Sequence, residues 1–320
     1  MTRQGLERHQ VWIYLAAIAA GLAAGVAIPA LAPLFEAALW PTLGLLLYAT
    51  FTQVPLTSLS GAFADRRFIG AVLVGNFVLV PLLVWALLML VPDDPAIRLG
   101  VLLVLLLPCT DWYVTFTHLG GGDTPRAMAV TPVNLIVQLV ALPVHLWLFM
   151  GEAFLELLAA DRIVAVFVTV LLVPLLAAWL TEVWARRNAS RIRQIGRLGW
   201  LPVPLLALVL CMIAASQVES VVAAMPVLGQ VLGTFLAFLF AAPLIGLALA
   251  RLARLSAPAC RALIYSLGTR NSFLVLPLAL ALAPQWQTAT VVIVFQSLVE
   301  LFGMLAYLWL LPKIVPARTA

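Results

Sequence analysis

Residues 99–119 read LGVLLVLLLPCTDWYVTFTHL, and residues 260–282 read CRALIYSLGTRNSFLVLPLALAL. Each run is long enough to cross a bilayer, which takes about 20 apolar residues. Each is interrupted near its middle by a polar cluster: Pro108, Cys109, Thr110, Asp111 and Trp112 in the first, and Ser266, Gly268, Thr269, Arg270, Asn271 and Ser272 in the second, with Pro277 beyond. Proline removes a backbone donor and clashes with the preceding turn. Broken backbone at membrane depth is tolerated only when it is buried in protein or lines a wet cavity. Two interrupted spans in matching places are therefore a pointer to a transporter's binding site.

The rest of the chain agrees. Of 320 residues, 64% are hydrophobic and 10% are charged, and the mean hydropathy is +1.12. A soluble domain is about half apolar and roughly a quarter charged, so a soluble enzyme, a disordered chain and a secreted disulfide scaffold are all excluded. Apolar runs predict ten spans, at about 11–30, 37–59, 68–91, 99–119, 127–150, 163–184, 199–217, 226–250, 260–282 and 288–311. The expected fold is an all-α polytopic membrane protein, one membrane domain over residues 1–320, and the two broken runs are its fourth and ninth spans.

Charge fixes the expected orientation. With a cytoplasmic N-terminus, the inside segments hold Arg3, Arg8, Arg66, Arg67, Arg126, the five arginines from Arg186 to Arg197, Arg251, Arg254, Arg261, Lys313 and Arg318, whereas outside loops hold Arg98 and Arg162. That asymmetry places both termini in the cytoplasm of a plasma (inner) membrane. The loop from Ala185 to Leu198 falls near the middle of the chain and suggests two five-helix halves, about 11–150 and 163–311, of opposite orientation. The net charge of +5 comes from loop arginines and implies no nucleic-acid partner.

Asp111 and Arg270 fall at equivalent depths in the two broken spans. A charge at the membrane centre costs at least about 2.5–3.5 kcal/mol, so intramembrane ionisable residues mark function by default. The expectation is an ion pair between them, either at the substrate or proton site or as a structural lock. Cys109 adjoins the first break, where its sulfur is a soft ligand or simply a small hydrophobe. Cys211 and Cys260 fall away from either break. Pro108, Thr110, Ser266, Gly268, Thr269, Asn271 and Ser272 complete the two clusters, and Asn76, Asn134, Gln138, Gln296 and Glu300 are expected to line or support the same pathway. Gly120-Gly121-Gly122-Asp123 lacks a preceding strand and a GK[ST] motif, so it reads as a helix end and turn rather than a phosphate loop. No HExxH or GxSxG motif is present, so no enzymatic activity, cofactor or metal cluster is expected.

With these residues placed, the chain resembles the arsenite efflux permeases of the bile acid/sodium symporter superfamily over about residues 42–311. One window runs from Gly70-Ala-Val-Leu-Val-Gly-Asn-Phe through Arg98-Leu-Gly, Leu107-Pro-Cys-Thr and His118-Leu-Gly-Gly-Gly-Asp123 to Asn134 and Gln138. The other is Thr269-Arg-Asn-Ser-Phe-Leu followed by Leu298-Val-Glu300. The resemblance implies ten helices as two inverted repeats, with broken fourth and ninth helices crossing at the midplane, and it implies Cys109 as the metalloid ligand. Two positions depart from the family pattern: Phe273 stands where relatives carry a ninth-span glutamate that helps hold sodium, and Arg270 stands in place of an asparagine. A guanidinium there takes a cation's place.

The resulting expectation is a secondary transporter exporting arsenite, with antimonite a related cargo, by proton antiport. Cys109 is the expected ligand, Asp111 the proton carrier, and Thr110, Thr269, Arg270, Asn271 and Glu300 complete the expected substrate site. The alternative is a transporter of a small organic anion paired with Arg270.

Overall fold

The computed structural model describes residues 3–56, 65–154 and 165–316. Its helices are α1 (Arg3–Ala27), α2 (Ala32–Phe51), α3 (Arg66–Leu90), α4 (Pro95–Leu106), α5 (Trp112–Leu119), α6 (Thr124–Met150), α7 (Phe167–Ala185), α8 (Ala189–Leu198), α9 (Pro202–Ser216), α10 (Val218–Leu252), α11 (Ala257–Gly268), α12 (Ser272–Leu280) and α13 (Gln287–Ile314). Among the described residues there is no strand. Among the described residues, eight helices are long and apolar enough to cross a membrane: α1, α2, α3, α6, α7, α9 with its lead-in α8, α10 and α13. The broken pairs α4–α5 and α11–α12 occupy the fourth and ninth places in chain order. The expected start of the second half at residue 163 and the expected outside residue Arg162 lie outside the described residues, as does Arg318.

Local chemistry sets the helix ends. Asp94 caps α4, accepting from the amides of Ala96 and Ile97, and Pro95 fills the first helical position where no donor is needed. Asp123 caps α6 through the Arg126 amide. Gly121, at φ +66°, turns the chain between α5 and α6, so the glycine run is a helix end, as expected. In α3, Pro81 has no N–H to offer the Phe77 carbonyl four residues back. Just before it, a π turn spans Gly75–Leu79. The extra residue of a π turn re-aims its side chains, and the buried Asn76 sits within it.

The helices pack as two bundles. In one, α1 lies against α9, α9 against α2, and α2 against α7. In the other, α4 lies against α13, α13 against α10, and α10 against α11, with α3 and α6 joined to them. The first is held unusually close. A Cβ at Gly21 would lie 2.2 Å from the Cys211 carbonyl oxygen, and one at Gly25 would lie 2.4 Å from that of Ala215. This is the small-residue spacing that lets membrane helices touch backbone to backbone. Large apolar side chains such as Val140, Phe240 and Leu252 face outward, as a lipid-facing surface requires.

Four of the segments expected on the cytoplasmic side, around residues 65, 123, 258 and 315, are tied to one another. Arg126 pairs with Asp65 at 2.9 Å and with Asp123 at 3.0 Å. The Asp123 amide donates to the Pro258 carbonyl at 2.9 Å. Arg261, buried, donates to the carbonyls of Gly120 and Gly121 and, through two nitrogens, to that of Val315.

Candidate functional site

The two breaks lie against each other. Between α4 and α5, and between α11 and α12, the chain is extended, and Pro108 and Arg270 form an antiparallel bridge. The Cys109 amide donates to the Thr269 carbonyl at 3.2 Å, and the Asn271 amide donates to that of Leu107 at 2.9 Å. These bonds satisfy backbone groups that would otherwise be orphaned in an apolar interior. A side-chain bond reinforces them, from Asn271 Nδ2 to Thr110 Oγ1 at 3.2 Å. Asn271 Oδ1 also caps α12 by accepting from the Leu274 amide.

Arg270 does not pair with Asp111: no ion pair joins them among the described residues. Its guanidinium turns back along α11. Nη2 lies 2.6 Å from the Leu267 carbonyl oxygen, 3.0 Å from that of Ser266 and 2.8 Å from Asn76 Oδ1. Nη1 reaches the Leu105 carbonyl at 3.3 Å. Asn76 Nδ2 donates to Ser266 Oγ at 3.0 Å, which fixes the amide with its oxygen toward the guanidinium. The physical reason is local. A side chain leaving a helix C-terminus leans toward the preceding turn, and the last carbonyls there have no intrahelical donors.

Glu300, on α13, holds the same break from the other side. Its Oε2 accepts from the Arg270 amide at 2.9 Å and from Gln296 Nε2 at 2.8 Å, and Ser272 Oγ contacts Gln296 Oε1 at 3.1 Å. Thr269 Oγ1 donates to the Tyr265 carbonyl, and Gly268 lies against the Tyr307 ring. The crossing thus gathers Asn76, Pro108, Thr110, Ser266, Gly268, Thr269, Arg270, Asn271, Ser272, Gln296 and Glu300. Asn134 and Gln138, on α6, are fully buried, and their amides have no hydrogen-bond partner among the described residues. The Cys109 side chain is packed into the apolar core.

Asp111 belongs to a different place. Together with Gln10 and Tyr14 of α1, Thr50 and Gln53 at the end of α2, Trp112 and Thr115 of α5, Pro202 and Val203 of α9, and Phe273 of α12, it lines a cavity between the two bundles. The free volume is about 20 Å³, room for a water rather than a solute. Trp112 stacks on Tyr14 with centroids 5.9 Å apart and meets the Phe273 ring edge-on at 4.9 Å. These three rings close the cavity's apolar side. Cys109 is not among its lining residues.

Sequence reading reaches the crossing but not this cavity. Gln10, Tyr14, Thr50 and Gln53 sit near the ends of ordinary spans, and only the tertiary fold, with Tyr14 stacked on Trp112, brings them to Asp111. The i, i+4 spacing of Gln10 and Tyr14 on one face of α1 is the one signal the sequence offers. Among the described residues, no three His, Cys, Asp or Glu side chains converge as a metal-binding group.

No curated protein matches the chain. The sodium bile acid symporter family matches residues 40–224, from α2 through the first break and into the start of α10. That is more than half the chain, and it agrees with the packed apolar helices and the buried helix break: this multi-pass membrane transporter belongs to the sodium bile acid symporter family.

Proposed function

We propose that the chain is a secondary transporter that exports a small, uncharged, hydroxylated solute in exchange for protons, with the solute bound at Asp111 between the two bundles. The observation that carries this reading is the position of Asp111 in the inter-bundle cavity. A carboxylate beside the amides of Gln10 and Gln53 and the hydroxyls of Thr50 and Thr115 offers several acceptors and donors in little space. Arsenite is the first candidate: near neutral pH it is a trihydroxide, small and uncharged. Its hydroxyls donate to Asp111, and a proton competes for the same carboxylate, which is the minimal requirement for antiport.

Two features weigh against the alternative cargo. An organic anion would meet the Asp111 charge in the cavity, and the Arg270 guanidinium is already bonded to Asn76 and three carbonyls. The packing also favours hydrogen bonding over a thiolate ligand, since Cys109 lies in the core.

The architecture proposed is ten spans in one membrane domain, as two inverted halves, with the breaks crossing near the midplane and both termini in the cytoplasm. Its support is the bundle composition. The first two long helices of each half, α1 with α2 and α7 with α9, form one bundle, and the remaining elements form the other. Separation of the bundles at Asp111 then opens the site.

Everted membrane vesicles energised with a pH gradient test the reading. Arsenite accumulation is expected, with loss in Asp111→Asn at equal membrane abundance. Accumulation of an organic anion such as a bile acid, with no movement of arsenite, overturns it.

A further inference from the structure

We propose that α8 is an interfacial helix that docks on the headgroups of anionic phospholipid, and that Arg187, Arg193 and Arg197 are its phosphate contacts. Residues 189–198 read ASRIRQIGRL. At 3.6 residues per turn, Ala189, Ile192, Ile195 and Leu198 fall on one side of the helix, and Ser190, Arg193, Gln194 and Arg197 fall on the other. A helix divided in this way, with arginines on its polar side, lies in the plane of a membrane interface. Asn188 starts it, its Oδ1 accepting from the Ser190 amide at 2.9 Å. The helix joins α7 to α9 and packs back onto α7. Trp184 before it and Trp200 after it are both exposed, as aromatic anchors at headgroup level are. Ile192 is 53% exposed although it is apolar. At an interface, acyl chains cover it.

The charge names the partner. From Val183 to Val218 the chain holds five arginines and no acid. Two of the five are engaged within the protein. Arg186 Nε lies 3.6 Å from Glu182 Oε1. Arg191 folds over the Trp184 ring, 4.4 Å from its centroid, and its Nη1 donates to the Trp184 carbonyl at 3.4 Å. Arg187, Arg193 and Arg197 are exposed and form no ion pair among the described residues. A guanidinium fork matches a phosphate bidentately, and three forks beside one helix call for a surface of phosphates rather than one ion. An anionic bilayer supplies both things that α8 presents a face to: phosphates for the arginines and acyl chains for Ile192. The dock also reaches the Asp111 cavity. Gly199, which ends α8, and Pro202 and Val203, which open α9, are among its lining residues. A seat on the headgroups therefore fixes one end of the cavity wall.

The test reads lipid binding by the purified full-length protein, so it depends on neither cargo nor orientation. Phosphatidylglycerol or phosphatidylcholine is titrated into the protein in detergent while melting is followed. Wild type is expected to show a saturable rise in melting temperature with phosphatidylglycerol and none with phosphatidylcholine. At roughly fivefold in affinity per arginine, the variant carrying Arg187→Gln, Arg193→Gln and Arg197→Gln is expected to need on the order of a hundredfold more lipid. The same change of charge elsewhere, with Arg66→Gln, Arg67→Gln and Arg251→Gln, is expected to leave the wild-type response. Hydrogen exchange in nanodiscs locates the contact: the amides of residues 190–201 are expected to exchange more slowly in phosphatidylglycerol than in phosphatidylcholine for wild type, and at equal rates for the α8 variant. An unchanged lipid response of the α8 variant overturns the proposal, as does an equal loss in the control variant. A wild-type response to glycerophosphoglycerol, the same headgroup without acyl chains, would assign the arginines to a soluble anion and overturn it too. If the α8 variant is not recovered, Ile192→Gln decides: a weakened lipid response supports the proposal, and an unchanged one overturns it.

Discussion

The main-chain amide of Arg270 donates to Glu300 Oε2 at 2.9 Å, so a carboxylate from the last helix holds the backbone of the second break. Gln296, one turn before Glu300, donates to the same oxygen, and Ser272, two residues beyond Arg270, contacts Gln296. The acid is therefore bonded to the position of Arg270 and not to its guanidinium.

Glu300→Ala is expected to lower stability by about 1–3 kcal/mol, because a buried N–H loses its acceptor. Glu300→Gln keeps an amide oxygen for that N–H and is expected to lose less. Thermal unfolding in detergent separates the two. An alanine variant as stable as wild type would mean that Glu300 does not hold the break.

Asp111 and Arg270 are expected to be nearly independent. In a double-mutant cycle with Asp111→Asn and Arg270→Gln, the coupling in unfolding free energy is expected to stay below about 1 kcal/mol. Breaking one side of a buried ion pair costs about 3–5 kcal/mol, much of it recovered when both sides are neutralised. Recovery of stability in the double variant would restore the pair that matching depth suggests.

Cys109→Ala is expected to leave arsenite transport within about twofold of wild type, with a stability loss of about 1 kcal/mol from the vacated volume. Arsenite accumulation in vesicles checks the first, and unfolding the second. Loss of arsenite transport by a folded Cys109→Ala protein would return the sulfur to the pathway.

Gly21→Ala is expected to destabilise by about 1–3 kcal/mol, since its Cβ would meet the Cys211 carbonyl at 2.2 Å and the two helices must part. Gly44→Ala, where a Cβ meets nothing within 4 Å, is expected to be neutral or to gain up to about 1 kcal/mol from helix propensity. Equal melting of the two variants would show that the α1–α9 contact is not close.

Much of this fold is legible as a string of residues. Unbroken apolar runs mark the long helices, and Pro108 and Gly268-Thr269 mark the breaks. The partners of Arg270 are harder to read. Sequence gives depth along a helix but not the direction a side chain takes, and Asp111 and Arg270 share depth alone. The carbonyls three and four residues before Arg270 are a local signal, visible once the end of α11 is known. Gly21-x-x-x-Gly25 is also written in the sequence, yet apolar runs do not reveal it, because the spacing matters only when a partner helix is near. The Asp111 cavity is built from five helices, and no single stretch carries it.

Two hydrogen bonds of the crossing run between main-chain groups, from Cys109 to Thr269 and from Asn271 to Leu107. Neither depends on which side chain is present. In evolutionary terms, the crossing is a frame that leaves its own residues free to vary. Side chains there can be exchanged by point substitution while the crossing stays tied by its backbone. The chemistry of such a transporter can then diverge faster than its architecture.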